Sequence, residues 1–155
     1  MTNDERFMEE ALKLARRAER HDDVPVGAVI VREGRVIARG MNTREQRGDP
    51  TGHAEINAIR KAARRTGCWR LHGCTLYVTL EPCPMCAGAA VNARIDRVVF
   101  GASDPKAGAF GGRTDLNAAG LNHRPDVCGG VMRDECAGVL KEYFKKKRAI
   151  KKAVL

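Results

Sequence analysis

An α/β fold is predicted, with helices packed on a mixed sheet that begins with an antiparallel hairpin. Three observations predict it. Two β-rich runs, 27–31 and 36–41, flank Glu33-Gly34, the pattern of a hairpin turn. A strand at 74–80, a helix at 83–93 and a strand at 97–100 follow in an order that a right-handed parallel crossover satisfies. Amphipathic periodicity near both ends and after residue 52 supplies apolar helix faces to cover both sides of such a sheet.

Each element has its own signal. Thr2 and Glu5 have capping-box spacing, and Phe7, Met8, Ala11, Leu14, Ala15 and Ala18 recur at helical intervals, so a first helix should end between Glu19 and Asp23, ahead of Pro25. The hairpin follows, then a polar loop over 42–51. The next helix, about 52–65, is expected to bury Ile56, Ile59 and Ala63. After the strand at 74–80, Pro82 suits the first turn of a helix, where its missing N–H would be unpaired in any case. Gly101 is expected to end the strand at 97–100, and 102–124, rich in Gly, Ala, Asp and Asn, to be loop with one short helix. The last helix, about 133–149, takes Cys136, Val139, Leu140, Tyr143 and Phe144 as its core stripe.

A chain of 155 residues supports one domain with a proper core and not two, so 1–155 is expected to be a single domain. Acidic residues near the start and the lack of an apolar h-region exclude a signal peptide, and no uncharged run approaches membrane-spanning length. The expected compartment is the cytoplasm, where the six cysteines stay reduced. A net charge of +9 invites a polyanionic partner, although a cationic surface can serve solubility alone. Its distribution favours a partner. Lys141, Lys145, Lys146, Lys147, Arg148, Lys151 and Lys152 crowd the C-terminus against Glu142, and Arg60, Lys61, Arg64, Arg65 and Arg70 form a second group.

The chemistry concentrates in two short stretches. Cys83 and Cys86 are three residues apart at the start of a helix, whose positive dipole end stabilises thiolates. His53 and Glu55 open another helix. One His and two Cys give a zinc ion three protein ligands and leave its fourth position for water, the arrangement of a catalytic site; Glu55 can shuttle the protons of that water. By itself a Cys-x-x-Cys pair is equally a redox motif or half of a structural zinc ribbon. The ribbon lacks its second pair, because Cys68, Cys74, Cys128 and Cys136 form none, and a redox motif leaves His53-Ala54-Glu55 unexplained.

His53-Ala-Glu55 with Pro82-Cys-Pro-Met-Cys86 resembles the signature of the zinc-dependent nucleoside and nucleobase deaminases. The resemblance is strongest to the branch acting on transfer RNA adenosine, and runs through Val24-Pro-Val-Gly-Ala-Val29, Asn42, Asp49-Pro-Thr, Trp69-Arg-Leu, Gly73 to Cys83, Cys86-Ala-Gly-Ala, Arg94-Ile, Val98 to Ala102, Asp104-Pro-Lys106 and Asn122-His-Arg124. It implies a three-layer α/β/α cytidine deaminase-like fold, one zinc ion per subunit, a homodimer, and hydrolytic conversion of adenosine to inosine at the wobble position of a tRNA anticodon. By the same resemblance His53, Cys83 and Cys86 hold the metal, and Glu55 protonates the ring nitrogen and then the departing ammonia. Asn42 bonds the purine, Val26, Ala54 and Pro82 line its pocket, and the backbone near Leu80 meets the amino group. Asp104, Lys106, Asn122, Phe144 and Arg148 match positions that grip the splayed anticodon nucleotides, as single-stranded RNA is held by stacking and basic groups.

Two departures stand out: Gly52 precedes His53 where the family more often has Ala, and Arg113-Thr-Asp-Leu116 follows Gly111-Gly112 where a Ser-Leu-Met-type run is expected. Two rival readings share many of these residues. One is a free nucleobase or nucleoside deaminase of the same fold, acting on guanine, cytosine or a purine analogue. The other is a catalytically idle RNA-binding zinc protein, against which Glu55 argues.

Overall fold

The computed structural model describes residues 1–154. Helix α1 (Asn3–Arg20) opens on the expected capping box: Thr2 Oγ1 accepts from Glu5 N–H at 3.1 Å, and the Glu5 carboxylate accepts from Thr2 N–H at 3.1 Å. Strands β1 (Gly27–Arg32) and β2 (Arg35–Met41) pair antiparallel about Glu33-Gly34, both of which take positive φ. The other elements are α2 (Arg44–Arg47), α3 (Ala54–Thr66), β3 (Cys74–Leu80), α4 (Pro84–Asn92), β4 (Arg97–Ala102), β5 (Asp126–Gly129) and α5 (Arg133–Val154). The sheet order is β2-β1-β3-β4-β5, with β1 antiparallel to β2 and β3, and with β3, β4 and β5 parallel.

Alternation along the strands divides the core into two halves. Val29, Val31, Tyr77 and Val99 face α1 and α5, whereas Ala28, Ile30, Leu76, Val78, Val98 and Phe100 face α3 and α4. This is the expected three-layer α/β/α arrangement. The layers pack closely where side chains are smallest: a Cβ on Gly40 would collide with the Ala54 carbonyl oxygen, so glycine lets α3 lie directly on β2.

That close approach corrects one expectation. Helix α3 buries Ala54, Ala58 and Ala62, not Ile56, Ile59 and Ala63, which are only partly covered. Both faces are apolar, and the thinner one fits against the glycine strand. Pro84, not Pro82, is the first helical residue of α4, because Cys83 is the N-cap. The loop after β2 contains the one-turn α2; β4 runs through Gly101 to Ala102; and β5, unpredicted, adds a parallel edge strand. Helix α5 extends past 149 to Val154, and Phe144 leaves the core stripe at 45% exposure, with Cys136 and Tyr143 buried. One 3₁₀ turn, Leu116–Ala119, lies in the 102–124 segment.

Candidate active site

Helix α3 follows β2 and α4 follows β3, and both strands run antiparallel to β1 and so in the same direction, which puts the two helix N-termini at the carboxyl end of the sheet, where open α/β sheets carry their sites. His53 is the N-cap of α3, in extended backbone; Cys83 is the N-cap of α4, and Cys86 lies within its first turn. His53 Nδ1 lies 3.6 Å from Cys83 Sγ and 3.5 Å from Cys86 Sγ, and all three atoms fall within 4.8 Å of one another. Tetrahedral zinc, with bonds of about 2.3 Å to sulfur and about 2.0–2.1 Å to nitrogen, requires an N–S edge of about 3.6 Å. The donor set therefore fits such an ion in both chemistry and spacing.

The electrostatics agree. A hydrogen bond from the Cys86 thiol pulls the Cys83 pKa down to about 4, which favours its thiolate, while the same hydrogen bond and burial push Cys86 up. His53 is raised, first by its hydrogen bond with Cys83. Glu55, in the first turn of α3 and 4% exposed, has its carboxyl pushed up to about 7, chiefly by burial. These groups open onto a cavity of about 180 Å³ walled by Val24, Val26, Asn42, Arg44, His53, Ala54, Glu55, Leu80, Glu81, Cys83, Asp104 and Ala107.

Of the residues expected around a base, Val26, Asn42, Ala54 and Leu80 line this cavity. Pro82 does not: it is buried, and its carbonyl accepts from Ala109 N–H at 2.8 Å. The Asn42 side chain already accepts from Arg44 N–H at 3.1 Å and donates to the Val24 carbonyl at 3.2 Å, which leaves one lone pair and one N–H for a ligand. Asp104 is on the cavity wall and Lys106 follows on the same loop, exposed. Asn122, Phe144 and Arg148 are exposed and line no part of the cavity.

Two carboxylates that sequence reasoning left without a role organise the walls. Glu81, 3% exposed, accepts hydrogen bonds from Asp104 N–H at 2.9 Å, Phe110 N–H at 3.0 Å and Gly112 N–H at 2.8 Å. Asp23, fully buried, accepts from Glu45 N–H at 2.7 Å and Gln46 N–H at 3.1 Å and so ties down α2. The available signal was an acidic residue abutting a proline at a strand boundary: Glu81 before Pro82, Asp23 shortly before Pro25.

The two departures are accommodated. Gly52 is buried and fixed by hydrogen bonds from Thr43 N–H to its carbonyl (2.8 Å) and from its own N–H to Asp49 O (3.0 Å). Arg113 and Thr114 both donate their N–H to the Gly108 carbonyl, at 2.8 and 3.0 Å, continuing the loop that Glu81 holds.

A family model for the cytidine and deoxycytidylate deaminase zinc-binding region matches residues 1–102. The tRNA-specific adenosine deaminase of Bacillus subtilis is 49% identical over 154 residues, covering 99% of this chain and 96% of that one. Among solved structures, one from a study of A-to-I editing by tRNA:A34 deaminases at the wobble position of transfer RNA superposes with a TM-score of 0.81 at 48% identity, covering 87% of this chain and 99% of that one. The guanine deaminase of Bacillus subtilis is 44% identical with a TM-score of 0.62, but the match covers 64% of each chain. The chain belongs to the cytidine and deoxycytidylate deaminase family, on the branch of the tRNA-specific adenosine deaminases.

Proposed function

We propose that the protein hydrolyses adenosine to inosine at the wobble position of a tRNA anticodon. One observation carries the reading: a His-Cys-Cys donor set and a buried carboxylic acid share a small cavity, in a chain that matches a tRNA adenosine deaminase almost end to end. His53, Cys83 and Cys86 would hold one zinc ion per subunit, which would supply Lewis-acid activation of water. Glu55 does the proton work. Its carboxylate takes a proton from the water and delivers it to the ring nitrogen as the water oxygen bonds the ring carbon bearing the amine; it then carries the second proton from that hydroxyl to the amino group, and the C–N bond breaks to release ammonia. Water and adenosine are consumed, and inosine and ammonia are formed. A carboxyl with a pKa near 7 can both accept and return a proton at neutral pH.

The remaining groups select and orient. Val26, Ala54 and Leu80 give the base an apolar slot, the free valences of Asn42 bond its edge, and the Leu80 backbone meets the amino group. Asp104 and Lys106, with Asn122, Phe144 and Arg148, hold the nucleotides beside the flipped base; the exposed Phe144 ring is free to stack on one. Residues 1–155 act as one deaminase domain in the cytoplasm, and no described helix is long and apolar enough to cross a membrane. The protein works as a homodimer. The partly covered Ile56, Ile59 and Ala63 meet Trp69, Met85, Gly88 and Ala89 in an apolar groove of about 680 Å³, a surface suited to a second copy.

The test is to offer the purified protein an anticodon stem-loop with adenosine at the wobble position and, separately, free adenosine, adenine, guanine and cytosine, scoring deamination by mass. Inosine in the stem-loop alone is expected. Turnover of a free base with none in the stem-loop would leave the metal site its role and replace the RNA substrate with a nucleobase.

A further inference from the structure

A second pocket, of about 190 Å³, lies across the 42–52 connection from the catalytic cavity and is ringed by Arg47, Arg60, Lys61 and Arg64 over a floor of Thr43 and Asn57. None of the four cations lies within 4 Å of a carboxylate among the described residues. Asp49 feels the charges of Arg47 and Arg60, but its Oδ1 is engaged by the Thr51 amide and hydroxyl, at 2.9 and 2.7 Å. The floor is satisfied internally: Asn57 Nδ2 donates to the Met41 carbonyl at 2.9 Å and to Thr43 Oγ1 at 3.0 Å. The pocket thus presents unpaired donors and positive charge.

This clustering carries a cost to the fold. Arg60 and Arg64, four residues apart on α3, repel each other, as do Lys61 and Arg64 at a spacing of three. Arg64, in the last turn, complements the helix dipole, but Arg60 and Lys61 sit too far from that end for the dipole to account for them. An anion bound among them would relieve the repulsion. Position indicates which anion. Asn42 and Arg44 wall the catalytic cavity, while Thr43 and Arg47 wall this pocket. Residues 60–64 follow His53 by seven to eleven positions, about 10–16 Å along α3.

Building on the RNA reading above, we infer that this pocket binds a backbone phosphate of the substrate RNA, a few nucleotides from the base held in the catalytic cavity. It fixes the register of the stem-loop without reading sequence, as phosphate contacts do in nucleic-acid complexes generally. The site is separate from Asp104, Lys106 and the α5 cations.

The experiment uses the full chain with zinc bound and the stem-loop RNA. The triple variant Arg47→Ala, Lys61→Ala, Arg64→Ala leaves Arg60, which also borders the apolar groove, in place. KM for the stem-loop should rise at least about tenfold with kcat within about twofold. The slope of log affinity against log salt should become shallower by about one for each phosphate no longer neutralised. Lys61→Glu alone should act in the same direction with less disturbance of α3. Zinc content, melting temperature and oligomeric state, measured in parallel, should match the wild type. Unchanged KM and salt slope in the triple variant overturn the phosphate site while leaving the RNA reading intact. Weakened binding with an unaltered salt slope also overturns it, because the loss would not be electrostatic. A wild-type protein inert toward the stem-loop removes the RNA reading and this inference with it.

Discussion

Replacing Glu81 by alanine tests how the cavity wall is held. The carboxylate accepts three backbone N–H groups, from Asp104, Phe110 and Gly112, at 2.8–3.0 Å, and is 3% exposed. Hydrogen bonds to a charged acceptor contribute about 1.5–3 kcal/mol each, and a stranded buried N–H costs about 1–3 kcal/mol. Three such bonds bound the loss at roughly 3–9 kcal/mol. Asp104 and Gly112 are only partly buried, so water can reach their amides and the lower end applies, about 3–5 kcal/mol. For a chain of this size that lowers Tm by about 6–20 °C. Glu81→Gln keeps one oxygen, which can serve Phe110 and Gly112 while its NH₂ opposes the Asp104 N–H, so an intermediate loss is expected. Thermal melts give the global number. Amide exchange gives the local one: protection at Asp104, Phe110 and Gly112 should fall together in Glu81→Ala, before that of the central strands. KM for RNA should rise more than kcat falls, because Asp104 and Ala107 belong to the wall and not to the reacting set. A Tm within about 2 °C of wild type, with undiminished protection at those amides, would refute the assignment.

Glu55→Gln should keep its zinc and its fold while activity drops by about 10²–10⁴, since the amide cannot carry the proton; metal analysis beside an activity assay checks both. Stripping the metal with a chelator should abolish turnover and lower Tm, both restored by added zinc, because the two N-caps it joins come from distant parts of the sequence. Asp4 engages both Arg97 nitrogens at 2.8 Å and the Tyr77 hydroxyl at 2.7 Å, and the Arg97 hydrogen bond holds its carboxyl below the usual 3.8. A depressed carboxyl contributes stability that is present above its unfolded pKa and lost as pH falls through its folded one. Asp4→Asn should therefore cost about 1–2 kcal/mol near neutrality, discounted for its partial exposure, with the gap to wild type closing in acid; denaturant melts at several pH values check it.

Most of the strand and helix order was legible because those elements carried a local signal strong enough to stand alone: the capping box at Thr2, the glycine turn at Gly34, the β-rich run from Cys74 to Leu80. The errors fell where two surfaces were nearly equivalent in sequence. Helix α3 offers an alanine face and an isoleucine face, and the choice between them is made by Gly40 on another element. Phe144 shares an apolar spacing with Tyr143, Leu140 and Cys136, but the helix rotates to bury Tyr143 and leaves Phe144 at the surface. Strand β5 is four residues long and only half-buried, so its pairing with β4 rather than its own pattern defines it.

The candidate site was legible to a different depth in each of its parts. Ligand types and spacing reveal the donor set directly, because only a few residue types bind zinc and two of them recur within one helical turn. The walls have no such code. Asn42 is held by Arg44 and Val24, Asp104 by Glu81, and α2 by Asp23, so the cavity's outline depends on carboxylates whose partners are backbone amides that sequence does not mark. The Glu81 backbone N–H also bonds the Ala102 carbonyl, at 2.8 Å, and Ala109 N–H bonds the Pro82 carbonyl, at 2.8 Å, so backbone hydrogen bonds tie the chain that leads into Cys83 to the loop that carries Asp104 and Lys106. A substitution that frees the loop is therefore two residues of backbone away from Cys83, which is why Glu81→Ala should lower kcat by a smaller factor alongside its larger effect on KM.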